Sequence, residues 1–137
     1  MTASRALLLP HTPSSVAVAR QRLCHELLAQ GVADQTVADA ALVVSELLGN
    51  ALRHARPLRS GRVRVTWRLD DERLQIAVSD GGAGTEPRMR PRSLTSPGGR
   101  GLEIVEHVAN EWGVRHEGEA TTVWAKLSAQ AAAVASV

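Results

Sequence analysis

The 137-residue chain contains no Phe and no Tyr, only three Trp, a single Lys and a single Cys. A lone Cys24 excludes an internal disulfide, and with His scattered at 11, 25, 54, 107 and 116 it offers no ligand spacing for a structural zinc. No run of about 18 uncharged apolar residues is present, so no membrane-spanning helix is expected. The start shows no basic-then-apolar leader ending in a small-residue cleavage site. These absences lead to the expectation of a soluble, cytoplasmic protein with no membrane partner.

Apolar residues make up 44% of the chain and the net charge is only +2, which excludes a disordered polymer. A domain of this size hides about two-thirds of its unfolded surface, enough for a core without covalent staples. One domain over residues 1–137 is expected, with its core at about 10–127 and an Ala-rich tail, 128–137, frayed.

Fifteen of the sixteen basic residues are Arg, and six of them fall between Arg53 and Arg68. Such a cluster invites a nucleic-acid partner, but the local period argues against one. Val63, Val65, Trp67 and Leu69 alternate with Arg62, Arg64, Thr66 and Arg68, as in a strand buried on one side. The arginines then line the solvated face. A partner-binding patch is the competing reading, and direct nucleic-acid binding is not expected.

The same reasoning orders the rest of the chain. Ala6-Leu-Leu-Leu9, bounded by Pro10 and Pro13, suits an edge strand or docked arm. Ser14 or Ser15 can cap a helix running to about Gln30, stopped by Gly31 in the left-handed conformation. A second helix starts near Asp34 or Thr36, carries Val37, Ala41, Val44, Leu48, Ala51 and Ala55 at steps of three or four, and is closed by Pro57. The strand with alternating arginines and a second through Leu74, Ile76 and Val78 form a hairpin around Asp70–Arg73. Gly98-Gly-Arg-Gly101 opens a third helix whose Leu102, Val105, Val108 and Ala109 share a face. Strands at Trp112–Val114 and Thr121–Leu127 complete an α+β, two-layer α/β sandwich, with helices on one face of a mixed, mostly antiparallel sheet.

Three constellations stand out from this frame. Glu46, Asn50 and His54 form one stripe of the second helix, in a segment otherwise largely apolar. A carboxylate one turn from an amide can divide labour: one orients or deprotonates a nucleophile, the other offers its carbonyl oxygen to a hard cation such as Mg²⁺. An ordinary polar edge of an amphipathic helix is the alternative. Next, Val78-Ser-Asp-Gly-Gly-Ala-Gly84 ends a strand in an acid and glycines, which suits a carboxylate accepting from an exocyclic amine such as adenine's, or else a loose turn. Last, the glycines ahead of Leu102 free backbone amides at a helix N-terminus, where Arg100 adds positive charge for a phosphate. The P-loop and dinucleotide fingerprints do not fit these segments.

In this order and spacing, Glu46-Leu-Leu-Gly-Asn50-Ala, Asp80-Gly-Gly82-Ala-Gly84 and Gly99-Arg-Gly101-Leu resemble the N box and two glycine boxes of the GHKL ATPases, over about residues 10–127. Ser45-Glu-Leu-Leu-Gly-Asn-Ala-Leu-Arg-His54 and Gly101-Leu-Glu-Ile-Val105 most resemble the anti-sigma-factor serine kinases within that superfamily. The resemblance implies a Bergerat ATP-binding fold with a left-handed βαβ crossover, and ATP lying between the helical layer and a lid. It implies ATP and Mg²⁺ as cofactors, a sigma factor and an anti-anti-sigma antagonist as partners, and phosphorylation of a Ser on the antagonist. It is also compatible with a homodimer.

Carried over by position, the resemblance makes Asp80 the ligand of the adenine amine, with Thr122 helping to hold a water there. Gly82 and Gly84 let the chain pass the base and ribose. Asn50 coordinates Mg²⁺; Gly99, Arg100 and Gly101 contact the phosphates; Glu46 is the general base. Arg88, Arg90 and Arg92 in the short lid, 85–97, have no role in the resemblance and read as solvated. The alternative from a second class is a non-catalytic, nucleotide-gated binding module. A histidine kinase core is disfavoured because one helix, not two, precedes Asp34, which makes His25 an ordinary helix residue.

Overall fold

The computed structural model describes residues 3–82 and 97–131, and for residues 97–101 the backbone alone. Lid residues Arg88, Arg90 and Arg92, and Gly84, lie outside the described residues.

Helix α1 (Ser14–Ala29) buries Ser15, Ala19, Leu23 and Leu27, one residue per turn. Helix α2 (Asp34–His54) buries a broader stripe through Val37, Ala40, Val44, Leu47, Leu48 and Ala51. Five strands lie beneath: β1 (Ala3–Pro10), β2 (Arg62–Leu69), β3 (Arg73–Asp80), β4 (Glu111–Glu117) and β5 (Ala120–Ser128). Helix α3 (Pro97–Val108) sits in the connection from β3 to β4 and adds Leu102 and Val105 to the core.

The sheet order is β1-β2-β3-β5-β4, and every neighbouring pair is antiparallel. This corrects the expectation of a mixed sheet. Because β3 and β4 are each antiparallel to β5, they run the same way with β5 inserted between them. The chain therefore crosses over through α3 without placing parallel strands side by side.

Period-two alternation assigns the two faces. Val63, Val65, Trp67, Leu74, Ile76, Val78, Val123, Ala125 and Leu127 point to the helices and form one core with α1 and α2. Arg62, Arg64 and Arg68 project from the opposite face and are exposed, as the alternation predicts. Trp67 enters the core whole, yet its Nε1–H donates to Glu26 Oε1 of α1 at 3.1 Å, and Arg5 Nε donates to the other oxygen at 2.8 Å. The indole donor is thereby satisfied while the bulk of the ring fills the space between layers.

Two further expectations change. Ser14 and Ser15 do not cap α1, whose N-cap is Pro13 without a side-chain hydrogen bond; the Ser15 hydroxyl instead donates to Pro10 O at 2.6 Å, tying the helix start to the end of β1. The stop at Gly31 does take the left-handed conformation, at φ +79°. Nor is the chain frayed directly after Ser128. Ala129 N–H donates to Glu72 O at 2.9 Å, Ala33 N–H donates to Gln130 O at 2.8 Å, and Ala131 bridges to Val32. This strap joins the turn between α1 and α2 to the β2–β3 hairpin.

Candidate nucleotide site

At one end of the sheet, on its helix-covered side, the last residue of β3 meets the C-terminal half of α2. Asn50 and Asp80 are buried polar side chains, 8% and 4% exposed. Burying an amide and a carboxylate costs free energy unless partners are found, so each must either be satisfied or await a ligand.

Asp80 is partly satisfied. Its Oδ1 accepts the Gly82 N–H at 2.7 Å, a turn of the backbone around its own carboxylate. Burial raises its pKa above the ordinary value, opposed by the Gly82 N–H and then by the charge of His11. A carboxylate that burial penalises gains from a ligand donor that restores what water supplied. Gly82 itself needs its glycine: φ is +87°, and a Cβ would come within 3.2 Å of Glu119 O and 3.5 Å of Thr121 Oγ1.

The acid loop is fastened to the helix by its backbone. Gly81 N–H donates to Arg56 O at 2.8 Å and Arg56 N–H donates to Gly82 O at 3.0 Å. Approach is so close that a Cβ on Gly81 would overlap the Pro57 carbonyl. Residues just past α2 therefore hold the loop in register with the stripe carrying Glu46 and Asn50. Glu46 is half-buried one turn before Asn50, and neither makes a side-chain hydrogen bond among the described residues. His54 is exposed at the helix C-terminus, which favours positive charge.

The third element, α3, starts at Pro97, so Gly98, Gly99 and Arg100 occupy its first turn. N–H groups there have no intrahelical acceptor. Gly99, Arg100 and Gly101 thus lie in the backbone of a helix start, as the glycine run suggests, and α3 packs on α2.

One expected residue is not where the site needs it. Thr122 pairs with Ser79 across the β3–β5 ladder, and their hydroxyls are hydrogen-bonded at 2.7 Å on the face away from the helices. Thr121 is the residue opposite Asp80, on the same face, with its hydroxyl beside Gly82 and 3.3 Å from His116 Nδ1. The signal was in the sequence: Val123, Ala125 and Leu127 face the core, and counting back by two from them reaches Thr121, not Thr122.

The donor set fits one divalent cation held jointly with a ligand. A single buried amide one helical turn from the Glu46 carboxylate suits Mg²⁺, which keeps water and phosphate oxygens in its shell. Among the described residues no group of three or more His, Cys, Asp or Glu gathers to hold a metal alone. No helix of the described residues is long and apolar enough to cross a membrane.

The profile of the histidine kinase-like ATPase domain matches residues 9–127. Among curated proteins, the chain is similar to serine-protein kinase RsbW of Listeria innocua, 26% identical over 89 residues, covering 64% of this chain and 57% of the relative. It is also similar to serine-protein kinase RsbW of Staphylococcus epidermidis, 26% identical over 126 residues, covering 82% of this chain and 79% of the relative. Among solved structures, the RsbU and RsbW domains of a Mycobacterium tuberculosis protein superpose with TM-score 0.72 at 20% identity, over 98% of this chain and 35% of that one. The shared fold is that of the open antiparallel sheet with three helices described above.

Proposed function

The chain belongs to the histidine kinase-like ATPase domain family, and from that membership we propose that it binds Mg·ATP and phosphorylates a Ser on an antagonist protein. In this reading it is an anti-sigma factor that exchanges a sigma factor for the antagonist and so regulates transcription. The names of the two RsbW relatives support a protein serine kinase. The observation that carries the reading is the burial of Asn50 on α2 and of Asp80 at the end of β3, two elements tied together by the Arg56 to Gly81 and Gly82 hydrogen bonds.

Asp80 accepts the adenine amine, and Thr121, replacing Thr122 in this role, directs its hydroxyl to the same edge of the base. Gly82 keeps the wall free of a side chain where base and ribose pass, a role the sequence resemblance also gives Gly84. The first turn of α3, with Gly99, Arg100 and Gly101, receives the phosphates on its free amides. Asn50 holds Mg²⁺ through its amide oxygen; the cation, when bound, neutralises phosphate charge.

For transfer, the antagonist Ser hydroxyl gives its proton to the Glu46 carboxylate as its oxygen bonds to the γ-phosphorus. The bond from that phosphorus to the bridging oxygen breaks, and ADP leaves with the electron pair. The chain has little covalent work to do, since phosphoryl transfer depends mostly on positioning and charge. A second copy of the chain is a further proposed partner, and the cytoplasm the proposed location.

The test compares wild type with Glu46→Gln, measuring ATP affinity by calorimetry and label transfer to a purified candidate antagonist. Transfer by wild type, lost in the variant with ATP affinity retained, is expected. Tight ATP binding by wild type without transfer to any candidate would leave the nucleotide-gated binding module instead.

A further inference from the structure

The arginines of β2 have no part in the nucleotide site, and the fold gives them company. Strand register sets Arg64, Ser79, Thr122 and Arg115 in one row across the sheet face away from the helices, on four adjacent strands, with the two arginines exposed at its ends and Ser79 and Thr122 buried between them. Three strand spacings of about 4.8 Å separate the two arginines, within reach of two extended guanidinium groups. A second row runs Ser4, Arg68, Gln75, Lys126. The chain is distant in sequence at these points, so the composition of this face is a product of topology.

Between β1, β2 and β3 the same face has a shallow hollow of about 400 Å³, lined among others by Ser4, Ala6, Thr66, Arg68 and Gln75. Its small Ala6 leaves room, and its four polar side chains can all donate hydrogen bonds. None of the four makes a side-chain hydrogen bond or ion pair within the described residues. Arg64 and Arg115 are likewise exposed and without an ion pair there, whereas Lys126 lies 3.9 Å from Glu111 and over the Trp124 ring. Ser4, Thr66 and Gln75 can accept as well as donate, so the selection of an anion rests on the Arg68 guanidinium, a donor-only group at the hollow, which favours a carboxylate.

We propose that the β1–β2–β3 side of the sheet face away from the helices is a docking surface for an acidic segment of a partner protein, one of whose carboxylates seats in the hollow at Arg68. Charge complementarity points to protein and not to a nucleic acid. Asp70 and Asp71 at the hairpin tip, near Arg68 and Arg73, and Glu111 and Glu117 on β4 interrupt the positive field with fixed negative charge. A continuous phosphate backbone would run against these acids, while discrete carboxylates can pair around them. The surface is independent of the nucleotide reading, because Asp80 points to the helix side of the sheet and Asn50 lies on α2 there.

The experiment measures fluorescence anisotropy of a labelled Glu-rich decapeptide and of its Gln counterpart with the full chain at low salt. Wild type is expected to bind the Glu peptide and not the Gln peptide. Arg68→Glu combined with Arg64→Glu should weaken that binding about tenfold or more, and the milder Arg68→Gln should weaken it in the same direction. Arg22→Glu, an exposed position on α1, should leave it unchanged. Circular dichroism melting establishes that each variant folds. Equal affinity for the two peptides, no loss in Arg68→Gln, or an equal loss in Arg22→Glu would overturn the proposal. So would a 20-base-pair duplex that displaces the peptide and binds more tightly, since that assigns the face to nucleic acid.

Discussion

Burial raises the pKa of Asp80, a cost to its carboxylate that a hydrogen-bond donor would relieve. An acid whose pKa is raised by folding binds its proton more tightly folded than unfolded. The resulting stability is complete below the unfolded value of about 3.9 and disappears as pH rises through the raised, folded value. Asp80→Asn, neutral throughout, should therefore melt at or above the wild-type temperature at pH 7, with the gap closing in acid. On the proposed reading the same change should cost ATP about 1.5–3 kcal/mol, a ten- to hundredfold loss by calorimetry. The two threonines provide a sharper contrast. Thr121→Val should weaken ATP binding several-fold with little effect on melting. Thr122→Val should leave ATP binding intact yet destabilise the fold by about 1–3 kcal/mol, because the Ser79 hydroxyl loses its buried partner. Acid, amide and glycines stand out by residue chemistry alone, while the choice between adjacent threonines needs the period-two count along β5 that puts Thr121 on the face of Asp80.

Elements with a strong period were legible in the sequence, and those fixed by tertiary contacts were not. Strand β2 follows from alternation alone, and α2 from apolar steps of three and four. The cap at the start of α1 was misread because Pro10 offers a carbonyl that takes the Ser15 hydroxyl, and no local pattern announces that partner. The register between α2 and the β3 end was equally hidden, since it rests on backbone hydrogen bonds from Arg56. Gly81 is the residue through which this register can be tested. Gly81→Ala must push the loop from the Pro57 carbonyl, an overpacking worth about 1–3 kcal/mol. It is expected to lower ATP affinity and melting temperature together, unlike Thr121→Val. A variant with unchanged affinity would show that the loop can part from the helix without consequence. Within α2, Leu47→Ala should cost about 2–5 kcal/mol in denaturant unfolding, as expected for a core leucine that is 2% exposed.

At the scale of the molecule, the sheet separates two chemistries, the proposed nucleotide end beneath the helices and the exposed arginines of β2 on the opposite side. Substitutions on the two sides share no partner, so Arg68→Gln and Asp80→Asn should combine additively in melting free energy, within about 0.5 kcal/mol. The all-antiparallel pairing explains how both sides survive in one small layer, because β5, inserted between β3 and β4, sends Thr121 to one side and Thr122 to the other. The strap at 129–131 has a practical consequence for watching the site at work. Strand β5 runs from Thr121, opposite Asp80, to Ser128, opposite Arg73, so exposed Gln130 is carried to the far end of the sheet, about 25 Å away along the strand. A donor dye on Gln130→Cys, with Cys24 replaced by Ala, would sit on a fixed anchor at a distance suited to energy transfer from a labelled nucleotide. Arrival and departure of that nucleotide could then be followed in real time without a probe touching the pocket.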